Sequence, residues 1–198
     1  MSAVGEKFQK AFGKPDPSAP DGLPNDTAGG FWERLRPEVG SGYFLDRFLY
    51  LFGEGLQELT VCLKSWSFIV PSHEDRVILG FNAYGSLLVL EDGQDPSKER
   101  VYVLDPLHVT YTTRASCDFV GLLGSWLPEQ RLPNFFDTSV YTAWGEENGT
   151  VLDPREILGI GVPLSLDGEM ELENFAPQDI VEYYATTGPT YAKAMRKK

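Results

Sequence analysis

The chain has 198 residues, of which 42% are hydrophobic and 13% aromatic. That is a globular composition, enough for one domain with a sizeable core or a small N-terminal part packed on a larger one. Its formal charge of −12 argues against direct nucleic-acid binding, which needs Lys and Arg to displace counterions from phosphates. No apolar run approaches the length of a membrane span, and Met1 to Phe8 lacks the apolar core of a signal peptide, so a cytoplasmic protein with no membrane partner is expected.

In chain order, Val4, Phe8 and Phe12 fall at helical spacing and predict a short amphipathic helix over Ala3 to Phe12. Gly13 to Asp26 is rich in Pro, Gly and Asp and predicts an extended linker over the surface. Phe31, Trp32, Leu35 and Val39 mark a second short helix, opened by Asp26 or Thr27. Tyr43 to Gly53 carries Phe44, Leu45, Phe48, Leu49 and Phe52 and reads as a buried helix or a strongly apolar segment. Leu59 to Ile69 fits helix or strand, and the β-branched and aromatic run Trp66 to Val70 favours strand before Pro71.

The middle reads as β structure. Val77 to Phe81 and Ser86 to Leu90 flank Asn82-Ala-Tyr-Gly85, a hairpin with Gly85 where a positive φ is needed. Val101 to Leu104 and Val109 to Thr113 are two further strands separated by the Asp105-Pro106 turn. Ser116 is the expected N-cap of a helix carrying Phe119, Val120, Leu123 and Trp126. Another helix is expected over Pro133 to Trp144, followed by an acidic loop over Gly145 to Asp153. Ile157 to Leu166 reads as a buried strand closing the sheet, followed by a tight Asp167-Gly168 turn. A last helix begins near Asp179 and is expected to kink or break at Gly188-Pro189. Helices, a run of strands, helices and one more strand make an α+β fold: an antiparallel β-meander sheet packed with helices, with a helical N-terminal part.

Gly161 to Leu166 followed by Glu173-Asn174-Phe175 resembles a segment of the GAD-like/DUF1851 family, in which Val-Pro-Leu-x-Leu-Gly-Gly precedes Glu-Asn-Leu and a helix. Here Asp167 replaces the first glycine of the pair and Phe175 replaces the leucine. Phe81 to Leu90, Val101 to Pro106 and Ser116 to Trp126 follow the family's middle pattern in order and spacing. Phe8, Phe12, Gly13 and Pro15 fit its Phe-x-x-x-Phe-Gly-x-Pro opening. The resemblance implies an N-terminal GAD-like helical part over residues 1–70 and a DUF1851-like α+β part over 71–198, the two forming separate parts or one compact unit. The family includes immunity proteins against type VI secretion DNase effectors, so the resemblance implies a cognate toxin of the nuclease class as partner.

Few residues point to chemistry. His73 and His108 have no ligand spacing to Cys or to each other, Asp92-Gly-Gln-Asp95 is only half a calcium loop, and no nucleophile elbow, zinc-protease motif or phosphate loop is present. Cys62 and Cys117 sit among apolar neighbours and read as buried thiols. No catalytic residue, metal or cofactor is expected. Charge says more. From Gly145 to Tyr183 there are ten acidic residues and one basic residue, Arg155. Glu91, Asp92 and Asp95 form one acidic cluster, and Glu146 and Glu147 a second. Asp167, Glu169, Glu171 and Glu173 alternate and would share one face of an extended chain. These nine carboxylates are the expected partner-binding residues, suited to a basic partner such as a nuclease; a solvated face that keeps the protein soluble is the plainer account. Trp32, Tyr43, Tyr84 and Trp144 are possible interface anchors, with the core as the default place for each. The competing reading is a small-molecule or nucleotide-binding regulatory domain with its ligand between sheet and helices; an enzyme with an unfamiliar site is third.

Overall fold

Leu87 to Glu91 is buried at every position, as a strand covered on both faces must be. It is the fourth strand of an antiparallel meander in the computed structural model, which describes residues 1–24, 26–72, 75–91, 98–113, 117–132, 134–149 and 151–196. The six strands lie in sequence order: β1 (Gly42–Phe44), β2 (Leu49–Leu51), β3 (Arg76–Asn82), β4 (Leu87–Glu91), β5 (Arg100–Asp105) and β6 (Thr110–Thr113). The β3–β4 turn forms where its residues require it. Gly85 takes φ +80°, and the wholly buried Asn82 accepts hydrogen bonds at Oδ1 from the amides of Tyr84 and Ser86 while donating from Nδ2 to the Phe135 carbonyl. At the next turn Asp105 accepts from the amides of Leu107 and His108.

Tyr43 to Gly53 is a β-hairpin and not a helix. Leu45, Asp46 and Arg47 all have positive φ and turn the chain between β1 and β2. The alternation of these short strands is masked because the surrounding residues are apolar too: Phe44 packs on Phe8, with ring centres 5.5 Å apart, and Phe52 packs on Trp32 at 4.7 Å. The linker after the first helix is extended, as its composition indicates, and it covers the free edge of β1. The Asp16 amide donates to the Tyr43 carbonyl at 2.7 Å, the Tyr43 amide to Pro17 at 3.1 Å, and the Ala19 amide to Ser41 at 2.8 Å. β2 pairs with β3, so the sheet draws strands from both sides of residue 70.

The helices are α1 (Ala3–Phe12), α2 (Thr27–Val39), α3 (Thr60–Ser65), α4 (Phe119–Gly121), α5 (Ser139–Asn148) and α6 (Ile180–Met195). Residues 28–30 at the start of α2 are left-handed, so its right-handed part begins at Phe31. Trp66 to Val70 forms turns and not a strand. The amides of Ile69 and Val70 both return to the Trp66 carbonyl, which leaves the buried Trp66 ring against Tyr184 and Tyr191. Ser116, the expected cap, lies outside the described residues; the Asp118 carboxylate accepts from the Gly121 amide and caps α4. α5 begins six residues after the expected Pro133, itself outside the described residues, so Glu146 and Glu147 lie on the helix and not in a loop.

Ile157 to Leu166 is shorter as a strand than its composition indicates, and it does not close the main sheet. Strand β7 (Glu156–Ile160) pairs with β8 (Phe175–Asp179) in a separate two-stranded sheet, tied to the β3–β4 turn by a 2.7 Å bond from the Leu158 amide to the Ala83 carbonyl. Pro163, which has no amide hydrogen, follows the strand, and Leu164–Leu166 is a turn of 3₁₀ helix. Asp179 caps α6 through the amides of Val181 and Glu182. The helix runs on through Gly188 and Pro189 because its packing outweighs one lost bond: Tyr183, Tyr184 and Tyr191 are buried, and Gly188 lies directly against the Ser65 carbonyl. No described helix is long and apolar enough to cross a membrane.

Candidate functional site

The segment from Val162 to Asn174 is irregular, so its carboxylates do not project from a strand as the extended reading requires. Asn174 holds the loop shut: Oδ1 accepts from the Val162 amide at 2.9 Å, and Nδ2 donates to the carbonyls of Val162 and Glu169 at 2.8 and 3.0 Å. Asp167 takes a left-handed conformation at φ 68°, which Asp tolerates better than most side chains, and Gly168 lies so close to the Val162 carbonyl that a Cβ there would collide with it. Positions 167 and 168 therefore make different demands, and only the second admits no side chain. Sidedness survives without the strand. Leu166, Met170 and Leu172 pack against the core, while Asp167, Glu169, Glu171 and Glu173 are exposed.

α5 packs on the Leu172–Asn174 turn, which brings the helix bearing Glu146 and Glu147 beside the loop bearing Glu171 and Glu173. Glu146 and Glu147 are exposed as well. Among the described residues, none of Glu146, Glu147, Glu169, Glu171 and Glu173 has an ion-pair partner. Arg155, the single cation in this stretch of sequence, is committed elsewhere: its Nη1 lies 3.0 Å from Glu58 Oε2 and its Nε 3.7 Å from Asp179 Oδ2.

Glu91 does not belong to this surface. It is buried on β4 with Arg76 Nη2 at 2.7 Å and Nε at 2.8 Å from its Oε1, and it accepts a 2.6 Å hydrogen bond from the Tyr111 hydroxyl. Burial, reinforced by the neighbouring Glu91 carboxylate, pushes the Tyr111 phenol far up and keeps it a donor. Asp92 and Asp95 lie outside the described residues, as does His73. His108 is a turn residue, its Nδ1 2.7 Å from Asp105 Oδ2. Among the described residues no three His, Cys, Asp or Glu side chains come together as a metal site. Cys62 and Cys117 are both buried, and burial pushes each thiol up to about 12, which makes them poor nucleophiles.

Of the four aromatics considered as anchors, Trp32, Tyr84 and Trp144 are core residues and Tyr43 is half-buried at a cleft. The cleft, of about 350 Å³, was not foreseen from sequence. Its floor is a ladder of rings at paired positions on β1, β2 and β3: Tyr43 and Tyr50 with centres 4.7 Å apart, then Tyr50 and Phe81 at 5.5 Å. The Tyr50 hydroxyl donates to the Glu54 carbonyl at 3.0 Å, and burial, with Tyr43 and Glu54 nearby, pushes its phenol up to about 12. Leu56 and Leu59 line the cleft beside the rings, while Glu54, Glu58 and Arg155 add its charged groups. Tyr50 escaped notice because Phe48 to Phe52 is apolar at every other position, so its alternation with Leu49 and Leu51 carries little signal.

Fold and surface together define a mixed α+β protein, a six-stranded antiparallel meander with a flanking two-stranded sheet and an exposed acidic face. No family model matches the chain, and no curated protein matches it. Among solved structures, the chain is similar to Atu4351 from Agrobacterium tumefaciens, with a TM-score of 0.63 and 14% sequence identity over 92% of this chain and 87% of that one. At that identity the likeness is one of fold.

Proposed function

We propose that this chain is an immunity protein that binds a cognate antibacterial toxin, a nuclease delivered by type VI secretion, and blocks it by protein–protein contact without chemistry of its own. The observation that carries the reading is the set of exposed glutamates on α5 and the Val162–Asn174 loop, five of them without an ion-pair partner among the described residues. A nuclease must present cations to hold phosphates, so a surface of uncompensated carboxylates complements it and raises the rate of encounter. The ordered likeness of motifs to the GAD-like/DUF1851 family supplies the toxin class, and a DNase inhibitor would act in the cytoplasm, where the DNA is.

The reading as a small-molecule regulatory domain draws on one observation, the aromatic cleft. Its charged groups disfavour a nucleotide, since Glu54 and Glu58 would face the phosphates while Arg155 is already paired. Co-expression tests the proposal. Cells producing an effector nuclease whose gene lies next to this one should survive when this chain is made with it. Death at the same rate with and without the chain would refute the immunity role.

A further inference from the structure

The Tyr43–Tyr50–Phe81 ladder presents its rings to a cleft whose charged groups are two carboxylates and one cation. The cation, Arg155, is already held between Glu58 and Asp179, which leaves Glu54 as the carboxylate at the cleft with no ion-pair partner among the described residues. Glu54 is exposed, and its own backbone carbonyl accepts from the Tyr50 hydroxyl, so the acid stands beside the central ring of the ladder. One ring of the ladder already takes a guanidinium within the chain: Arg47, which does not line this cleft, lies over Tyr43 with its guanidinium carbon 4.6 Å from the ring centre. Leu56 and Leu59 add an apolar wall that suits an aliphatic stem.

We infer that this cleft receives an arginine side chain from a basic protein partner, its guanidinium resting on the Tyr43 and Tyr50 rings and pairing with Glu54. Aromatic faces attract cations through their quadrupoles, and the planar, weakly hydrated guanidinium stacks on them better than an ammonium does. A phosphate or carboxylate ligand would meet Glu54 and Glu58 and is disfavoured. A neutral aromatic ligand would leave Glu54 without a counterion. Arginine satisfies the rings, the carboxylate and the apolar wall together. Such anchors, inserted in small pockets, carry much of the affinity of protein interfaces. The inference needs a basic partner but does not depend on that partner being a nuclease.

The test uses N-acetyl-arginine N-methylamide as the probe, titrated into the isotope-labelled full chain and followed by nuclear magnetic resonance. Saturable shifts should be confined to Tyr43, Tyr50, Phe81 and their neighbours, with affinity on the order of 1 mM, as one isolated contact allows. The isosteric, uncharged citrulline analogue should bind at least about five-fold more weakly. Glu54→Gln, at an exposed position that leaves the fold intact, should also weaken arginine binding about five-fold, the scale of an exposed ion pair. The inference fails if the rings show no saturable shift, if the citrulline analogue binds as well, or if Glu54→Gln leaves affinity unchanged. None of these results involves the toxin, so failure here is separate from failure of the co-expression test.

Discussion

Glu91 and Glu169 are both glutamates in acidic stretches of sequence, and they have opposite fates. Glu91 is one end of a buried network with Arg76 and Tyr111. Glu169 is exposed, and its backbone carbonyl accepts from Asn174. Removing one partner of a buried pair strands the other charge in a poorly solvated site, at a cost of about 3–5 kcal/mol. Glu91→Ala should therefore lower the unfolding free energy by about 3 kcal/mol in a urea titration, whereas Glu169→Gln should change it by less than about 0.5 kcal/mol. Equal effects would mean that the Arg76–Glu91 pair contributes nothing to the fold. The sequence groups Glu91 with Asp92 and Asp95 as one cluster, although the apolar run Leu87 to Leu90 leads straight into it. What separates Glu91 from a solvated acid is the pairing of Arg76 with Glu91 across β3 and β4, a contact fixed by strand register and not by neighbours in the chain.

Elements were legible where one face is wet and one dry, or where a cap is local. α1 follows from Phe8 and Phe12, the β3–β4 hairpin from its turn, and the start of α6 from Asp179. Elements with neither cue were not. The β1–β2 hairpin hides in an apolar run, and β8 hides behind Pro177, which is tolerated because the strand lies in a sheet of only two. The end of α6 shows propensity losing to packing. An isolated chain would favour a break at Gly188-Pro189, and Ala at Gly188 would gain up to about 1 kcal/mol of helix propensity. Gly188 nevertheless touches the Ser65 carbonyl and the Trp66 ring, so an added methyl forces α3 and α6 apart. Overpacking of this kind costs about 1–3 kcal/mol. Gly188→Ala should thus lower the thermal midpoint, and a raised midpoint would show that propensity dominates there. The acidic surface was legible in part: Glu146, Glu147, Asp167, Glu169, Glu171 and Glu173 are exposed, but the packing of α5 on the Leu172–Asn174 turn is a tertiary contact that no local pattern encodes.

At the scale of the whole molecule, a net charge of −12 falls unevenly on a sheet-centred scaffold. The sheet and α6 are held by apolar and aromatic packing, and the uncompensated carboxylates stand outside that core. A face built this way acts over roughly a Debye length, about 10 Å at 0.1 M salt, before any contact forms. The aromatic cleft would act afterwards, holding one side chain once the partner has arrived. Long-range steering appears in the association rate and short-range anchoring in the dissociation rate. The measurement that bears most directly on this account is the association rate constant between the purified chain and the effector nuclease proposed as its partner, followed from about 0.05 to 0.5 M salt. The account predicts a fall of at least about ten-fold over that range, flattened when Glu146, Glu147, Glu169, Glu171 and Glu173 are all changed to Gln. A rate that ignores salt, or a variant that keeps the full salt dependence, would contradict it.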